Sequence, residues 1–147
     1  MIFAANRGSA VSITGGAHTP LERCRPRNAQ YAASVNGSNN GLDHCEIVDC
    51  DEDGVRLSGG VRATLVRGDN FVTNCRIHRV ARTAWTYHPA INLLRSCGNL
   101  IAHNLIDDLP HSTIIFWGNE HHIANHQIRR VGEFTNECGA CSTPTGL

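Results

Sequence analysis

Four segments of this 147-residue chain align without a gap, and that repeat constrains the fold more than any other feature. They begin at Asn40, Asn70, Asn99 and His121 and end at Cys50, Val80, Leu109 and Val131. The first column reads Asn, Asn, Asn, His, and the third reads Leu, Val, Ile, Ile. The sixth reads Cys, Cys, Asn, His, and the eighth is isoleucine throughout, as Ile47, Ile77, Ile106 and Ile128. A weaker copy with Leu21, Cys24, Pro26 and Ala29 precedes them, so successive anchors fall at Pro26, Ile47, Ile77, Ile106 and Ile128. Each anchor is followed by a second short alternating run: Ala33/Val35, Val55/Leu57, Ile91/Leu93, Ile114/Phe116 and Cys138/Ala140, with Val11/Ile13 as the same element of an earlier turn. The step from anchor to second run is 8 residues for Ile47 to Val55 and for Ile106 to Ile114, but 14 for Ile77 to Ile91. The third of these turns therefore carries an insertion, placed within Ala81–Pro89.

Short strands returning in register every 21 to 30 residues predict an all-β chain, a right-handed parallel β-helix of about five coils, as a single domain over residues 1–147. A helical solenoid would need 3.6-residue periodicity over ten or more residues, which is absent. A leucine-rich repeat would need leucine anchors. Coils spaced roughly 4.8 Å apart stack inward Ile, Val and Leu into a core and bring asparagines at the bends into ladders. Cys24, Cys45 and Cys75 share one column and read as small inward hydrophobes. Neither end offers an amphipathic capping helix, so the chain reads as a portion of a longer β-helix, with further coils as its neighbours.

Composition narrows the function classes. The 13 basic residues, all arginine, balance 13 acidic ones, and aromatics make up only 5%, which argues against nucleic-acid binding. No apolar run approaches the length of a membrane span, and Met1–Arg7 is too short for a signal peptide. The seven cysteines are an odd number, against a fully paired disulfide framework.

From Gly60 to Ala140 the chain resembles bacterial right-handed parallel β-helix proteins of the pectate-lyase-like superfamily, of the glycoside hydrolase and polysaccharide lyase type. The resemblance rests on Gly59–Leu65, on Thr86-Tyr87-His88-Pro89-Ala90-Ile91, on His103–His111 and on Gly118–Ile123. It implies a secreted protein, extracellular or periplasmic, that acts on polysaccharide. It also implies a role for the acidic segment after the last coil, which corresponds here to Thr135–Cys141 and keeps one acid, Glu137.

Candidate site residues emerge from strand alternation, which sends side chains of consecutive coils outward in columns suited to an extended polymer. One outward column holds Arg27, Val48, His78, Asp107 and Arg129, and the next holds Asn28, Asp49, Arg79, Asp108 and Arg130. Asp107 and Asp108, followed by His111, form the strongest local cluster. Such a set could supply the acid and base of glycoside cleavage, or else an Asx-type turn into Pro110. With Glu137 they are the expected catalytic residues. The insertion offers Arg82, Trp85, Tyr87 and His88 for substrate binding, since aromatics stack on sugar faces; the alternative is that Trp85 and Tyr87 cover core. His103 and Glu120 complete the expected binding set, whereas His121 falls in the asparagine-ladder column. No cofactor is expected and no metal set stands out, although outward acids leave room for a calcium ion. The expected function is polysaccharide cleavage, with a non-catalytic glycan-binding or spacer β-helix as the alternative.

Overall fold

The computed structural model describes residues 1–4, 7–133, 139 and 141–142, and every regular element among them is a β-strand. Sheet A holds β1 (Ile2–Ala4), β4 (Arg25–Arg27), β7 (Glu46–Val48), β10 (Arg76–His78), β13 (Leu105–Leu109) and β16 (Gln127–Val131). Sheet B holds β2 (Ser9–Ala17), β5 (Tyr31–Ser38), β8 (Val55–Leu57), β11 (Ile91–Cys97), β14 (Ile114–Asn119) and β17 (Cys141–Ser142). Sheet C holds β3 (Pro20–Glu22), β6 (Gly41–Asp43), β9 (Phe71–Thr73), β12 (Leu100–Ala102) and β15 (His122–Ala124). The chain visits A, B and C in turn, each strand pairing in parallel with its counterpart in the next coil. Five coils are complete and a sixth has its first two strands, one more than the repeat alone indicated.

The isoleucine anchors stack as expected: Ile47 pairs with Ile77, Ile77 with Ile106, and Ile106 with Ile128. Pro26 in turn pairs with Phe3, an anchor too divergent to be seen in the sequence. Val11, Ala33, Val55, Ile91 and Ile114 stack in sheet B. Leu21, Leu42, Val72, Ile101 and Ile123 stack in sheet C. These inward columns are the core, and Ile47, Ile77, Ile91, Ile101 and Ile106 are wholly buried. Each is worth roughly 1.5–3 kcal/mol of hydrophobic stabilisation. The Cys138/Ala140 run falls at positions outside the described residues; β17, which pairs with Ile114–Ile115, begins at Cys141.

Two of the three corners are built alike. The B-to-C corner is made by His18–Thr19, Asn39–Asn40, Asp69–Asn70, Gly98–Asn99 and Glu120–His121 in the five coils. The C-to-A corner is made by Arg23–Cys24, His44–Cys45, Asn74–Cys75, His103–Asn104 and Asn125–His126. The first residue of every pair is left-handed, with φ between 50° and 64°. That region is uncommon for residues with a Cβ, though Asn, Asp and His enter it more readily than most. From the second residue a side chain takes the backbone N–H of the coil before it. Thr19 N donates to Asn40 Oδ1, Asn40 N to Asn70 Oδ1, Asn70 N to Asn99 Oδ1 and Asn99 N to His121 Nδ1, at 2.9 to 3.2 Å. At the other corner Cys45 N donates to Cys75 Sγ, Cys75 N to Asn104 Oδ1 and Asn104 N to His126 Nδ1. The asparagine ladder thus exists, His121 is one of its rungs, and the cysteines are buried in the second ladder.

The third corner, from A to B, shares only the first half of this construction. Asn28, Asp49, Arg79, Asp108 and Arg130 again have positive φ, each followed by an inward apolar residue, but the chain beyond differs from coil to coil and no ladder forms. The links run over residues 28–30, 49–54, 79–90 and 110–113. The inserted segment lies here, between β10 and β11, as the anchor spacing required. Its backbone is pinned to the turn of the previous coil by Ala81 N to Glu52 O, Arg82 N to Cys50 O and Thr83 N to Asp51 O.

Candidate functional site

Most of the chemistry of the chain gathers at this A-to-B edge, because only there do the coils differ enough to place unlike side chains together. A cleft of about 340 Å3 lies between the inserted segment and the coil after it. Val80, Ala81, Leu109 and Pro110 supply its apolar lining, Trp85 one wall, and Arg79, Arg82, Asp108, Arg130 and Glu133 its polar groups. The indole is 60% exposed, so it does not serve as a plug over the core. Its Nε1 donates to the carbonyl of Arg82, three residues back, which fixes the ring against its own turn.

The charged groups of the cleft are not equivalent. Arg79 donates twice to Asp49, from Nε to Oδ1 at 2.8 Å and from Nη2 to Oδ2 at 3.0 Å. Arg130 is bonded to both Asp108 and Asp107. The Arg82 guanidinium donates to the backbone carbonyl of Asp49, at 3.4 Å, and forms no hydrogen bond or ion pair with a carboxylate among the described residues, though its charge also helps lower the Asp49 pKa. Hydrogen bonding from Arg79 holds the Asp49 carboxyl below its ordinary range despite burial, and Arg130 does the same for Asp108.

The expected catalytic residues Asp107 and Asp108 sit among these ion pairs. Strand alternation puts Asp107 in an outward column, and its side chain does leave the core, yet only 5% of that side chain is exposed. Its Oδ2 accepts from Arg76 Nη2 and Arg130 Nη2, both at 3.2 Å, so arginines from both adjacent coils engage it. His78, in the same column, is buried beside Glu46 at 3.1 Å, and Val48 is buried as well. Asp107 and Asp108 therefore form an ion-paired layer on sheet A. A glycosidase acid needs a carboxyl whose pKa is raised, and the hydrogen bond from Arg130 lowers that of Asp108 instead. Glu137 lies outside the described residues.

The expected binding residues divide among three corners. Arg82 and Trp85 share the cleft with Asp108. Tyr87, 69% exposed, stacks obliquely on the buried His111, with ring centroids 5.4 Å apart. His88 turns away to Asp53. His103 sits instead at a C-to-A corner beside Asn125, and Glu120 at a B-to-C corner beside Arg67. Neither joins the A-to-B edge, because both occupy the left-handed first position of a tight corner, which fixes where they point.

A second cluster on the same edge is not evident from the sequence. Asp53 is wholly buried and accepts from Arg56 Nε at 2.6 Å, His88 Nδ1 at 2.8 Å and Asn92 Nδ2 at 3.1 Å. Beside it Glu52 accepts from Gln30 Nε2 at 2.8 Å, and it is also hydrogen-bonded to Tyr31. These bonds lower the Glu52 pKa, whereas burial and the bond to Glu52 raise that of Tyr31. The Arg56 guanidinium lies 3.6 Å over the Tyr31 ring. The one signal in the sequence is four acids within Asp49–Asp53. The equal anchor offsets of 8 residues in two coils conceal that one of those links carries its own cluster. Among the described residues no group of three or more His, Cys, Asp or Glu side chains converges as a metal-binding set.

No curated protein and no solved structure matches the chain. A family model does: the right handed beta helix region matches residues 2–131. With five parallel coils in register over that same span, the chain belongs to the right-handed β-helix family.

Proposed function

We propose that this protein binds an acidic polysaccharide along its A-to-B edge, with a sugar ring against Trp85 and a carboxylate on Arg82. The observation that carries this reading is the cleft itself. An exposed indole and a guanidinium without a carboxylate partner among the described residues frame an apolar floor, while the other two guanidiniums in the cleft are already neutralised. Aromatic faces take the apolar face of a sugar, and a planar guanidinium takes a carboxylate through two parallel hydrogen bonds. Stacked coils offer a repeating surface to a repeating ligand. The state of Asp107 and Asp108 supports recognition, or chemistry led by a base, over hydrolysis by a carboxylic acid pair.

Calorimetric titration with oligouronates and with neutral oligosaccharides of equal length tests the reading. The acidic series should bind, and Trp85→Ala and Arg82→Ala should each weaken it by on the order of tenfold, as expected for a lost contact of about 1.4 kcal/mol. Equal affinity for neutral and acidic ligands, or none for either, overturns it.

A further inference from the structure

We infer that Cys45 and Cys75 are a redox-sensitive modification site: oxidation by a small-molecule disulfide joins them in an intercoil disulfide that staples two neighbouring coils together. Cys24, Cys45 and Cys75 occupy the inward position of the C-to-A corner in consecutive coils, and all three are buried as free thiols. The strands on either side fix the alignment of the last two. Asp43 pairs with Thr73 before the corner and Glu46 with Arg76 after it, so both ladders share one register and Cys45 lies directly opposite Cys75. Arg76 N donates to Cys45 O at 2.9 Å, which carries the strand spacing through the corner. That spacing, about 4.8 Å, falls within the roughly 4.4–6.8 Å between Cα atoms that a disulfide spans.

The sulfurs already face one another. Cys45 N donates to Cys75 Sγ at 3.4 Å, and the two thiols are hydrogen-bonded to each other. Bond formation requires them to close to about 2 Å, with no change of register. The hydrogen bond from Cys75 lowers the pKa of Cys45, and the same bond, together with burial, raises that of Cys75. Cys45 is thus the thiol that ionises first and the one that attacks. Cys24, on the other side of Cys45, directs its thiol to the Glu22 carbonyl at 3.1 Å and is the competing partner that the test must separate. Cys50 and Cys97 lie away from this corner, at the A-to-B edge and at the end of β11.

In the step, the Cys45 thiolate attacks one sulfur of the small disulfide, whose S–S bond breaks as a thiolate leaves, giving a mixed disulfide at Cys45. Cys75 loses its proton to solvent and attacks the Cys45 sulfur, and the second small thiolate leaves and is protonated. The two protein thiols are oxidised by two electrons and the small disulfide is reduced to two thiols. Both protein thiols are buried, so exchange proceeds through opening of this corner. The product closes a loop that contains Asp53 and the hairpin around Val61–Val66, and so restricts the unfolded chain.

The test treats the whole folded chain, reduced and in native buffer, with oxidised glutathione, and maps the cysteines by mass spectrometry without reduction. Peptides containing Cys45 and Cys75 should appear joined, and the thermal midpoint should rise by roughly 5–10 °C, returning to its starting value with dithiothreitol. Cys24→Ala should keep both the cross-link and the shift, whereas Cys75→Ala should lose both and leave Cys45 as the mixed disulfide. Mapping of the parent chain decides the question even where Cys75→Ala does not fold. A Cys24–Cys45 cross-link in the parent, no intrachain cross-link at any glutathione ratio, or a Cys45–Cys75 cross-link that leaves the midpoint unchanged overturns the inference.

Discussion

The B-to-C and C-to-A corners and the A-to-B edge are made from the same repeat, yet they obey opposite rules. At the first two, one left-handed residue recurs in all five complete coils and, from the second coil on, an inward ladder residue follows it; a hairpin around Val61–Val66 leads into one B-to-C corner. At the third, the left-handed residue remains and an inward apolar residue follows it (Ala29, Cys50, Val80, Leu109, Val131), but no side-chain ladder recurs and the link beyond differs in length and sequence. The difference arises from where backbone hydrogen bonds go. At a tight corner the buried N–H of one coil depends on a side chain of the next, so every coil must supply an acceptor there. At the A-to-B edge the link N–H groups reach backbone carbonyls of the coil before, as Asp51 N to Ala29 O and Ala81 N to Glu52 O, so no side-chain acceptor has to recur and sequence is free to vary. The scaffold lies in the two constrained corners and the chemistry at the third.

The sharpest way to break this comparison is insertion. One glycine between Asn74 and Cys75 would shift every later residue of the coil to the opposite face, and the cooperative urea transition should be lost. The same glycine after Ala84 should leave the transition midpoint within the equivalent of about 1 kcal/mol. Comparable transitions for the two insertions would mean that the corners are not constrained as described.

Substitution of a rung should cost less, but still much. Asn70 accepts from Asn40 N and donates to Gly37 O at 2.9 Å and Ser58 O at 2.7 Å. Asn70→Ala leaves these buried groups unpaired and should cost about 2–4 kcal/mol in equilibrium unfolding. The glycine beside the His121 rung shows the same tightness: a Cβ on Gly118, at φ 130°, would collide with the Ser96 carbonyl of the coil before.

Acid should separate the rungs from one another. Coils two to four use asparagine in the B-to-C ladder, whereas coil five uses His121, and His126 ends the other ladder as far as the described residues show. Burial lowers both histidine pKa values below 6.5, so folding favours the neutral rings, whose Nδ1 lone pairs accept backbone N–H groups. A depressed folded pKa gives stability that is whole above the unfolded value and is lost as pH falls from about 6.5 through the folded value. The urea midpoint should therefore drop over that window, and replacing both histidines with asparagine should flatten the fall. An unchanged slope would remove the histidines as its cause. The smallest effect belongs to Arg82→Ala, which should shift stability by less than about 0.5 kcal/mol while weakening oligouronate binding.

Much of this fold is legible because its period is written in residue types. Isoleucine recurring at one column, with asparagine and cysteine at fixed distances before it, predicts stacking in register. The coordinates place Ile47, Ile77, Ile106 and Ile128 in one file. The candidate site is less legible. Arg82 and Trp85 stand out because an insertion breaks the period, and they do share a cleft. His103 and Glu120 look equally eligible, since an outward polar residue reads alike at any corner. Asp107 and Asp108 look like an acid pair because their arginine partners lie 31 and 22 residues away in sequence.

Sequence alone determined the coil, the core columns and the ladders, because each depends on the same residue type returning at the same place. Tertiary structure decided which polar side chains meet. Stacking brings residues such as Asp53 and His88, 35 positions apart, within hydrogen-bond distance, and link length sets which pairs those are. A periodic pattern specifies what repeats; the function proposed for this chain depends on the segments that do not.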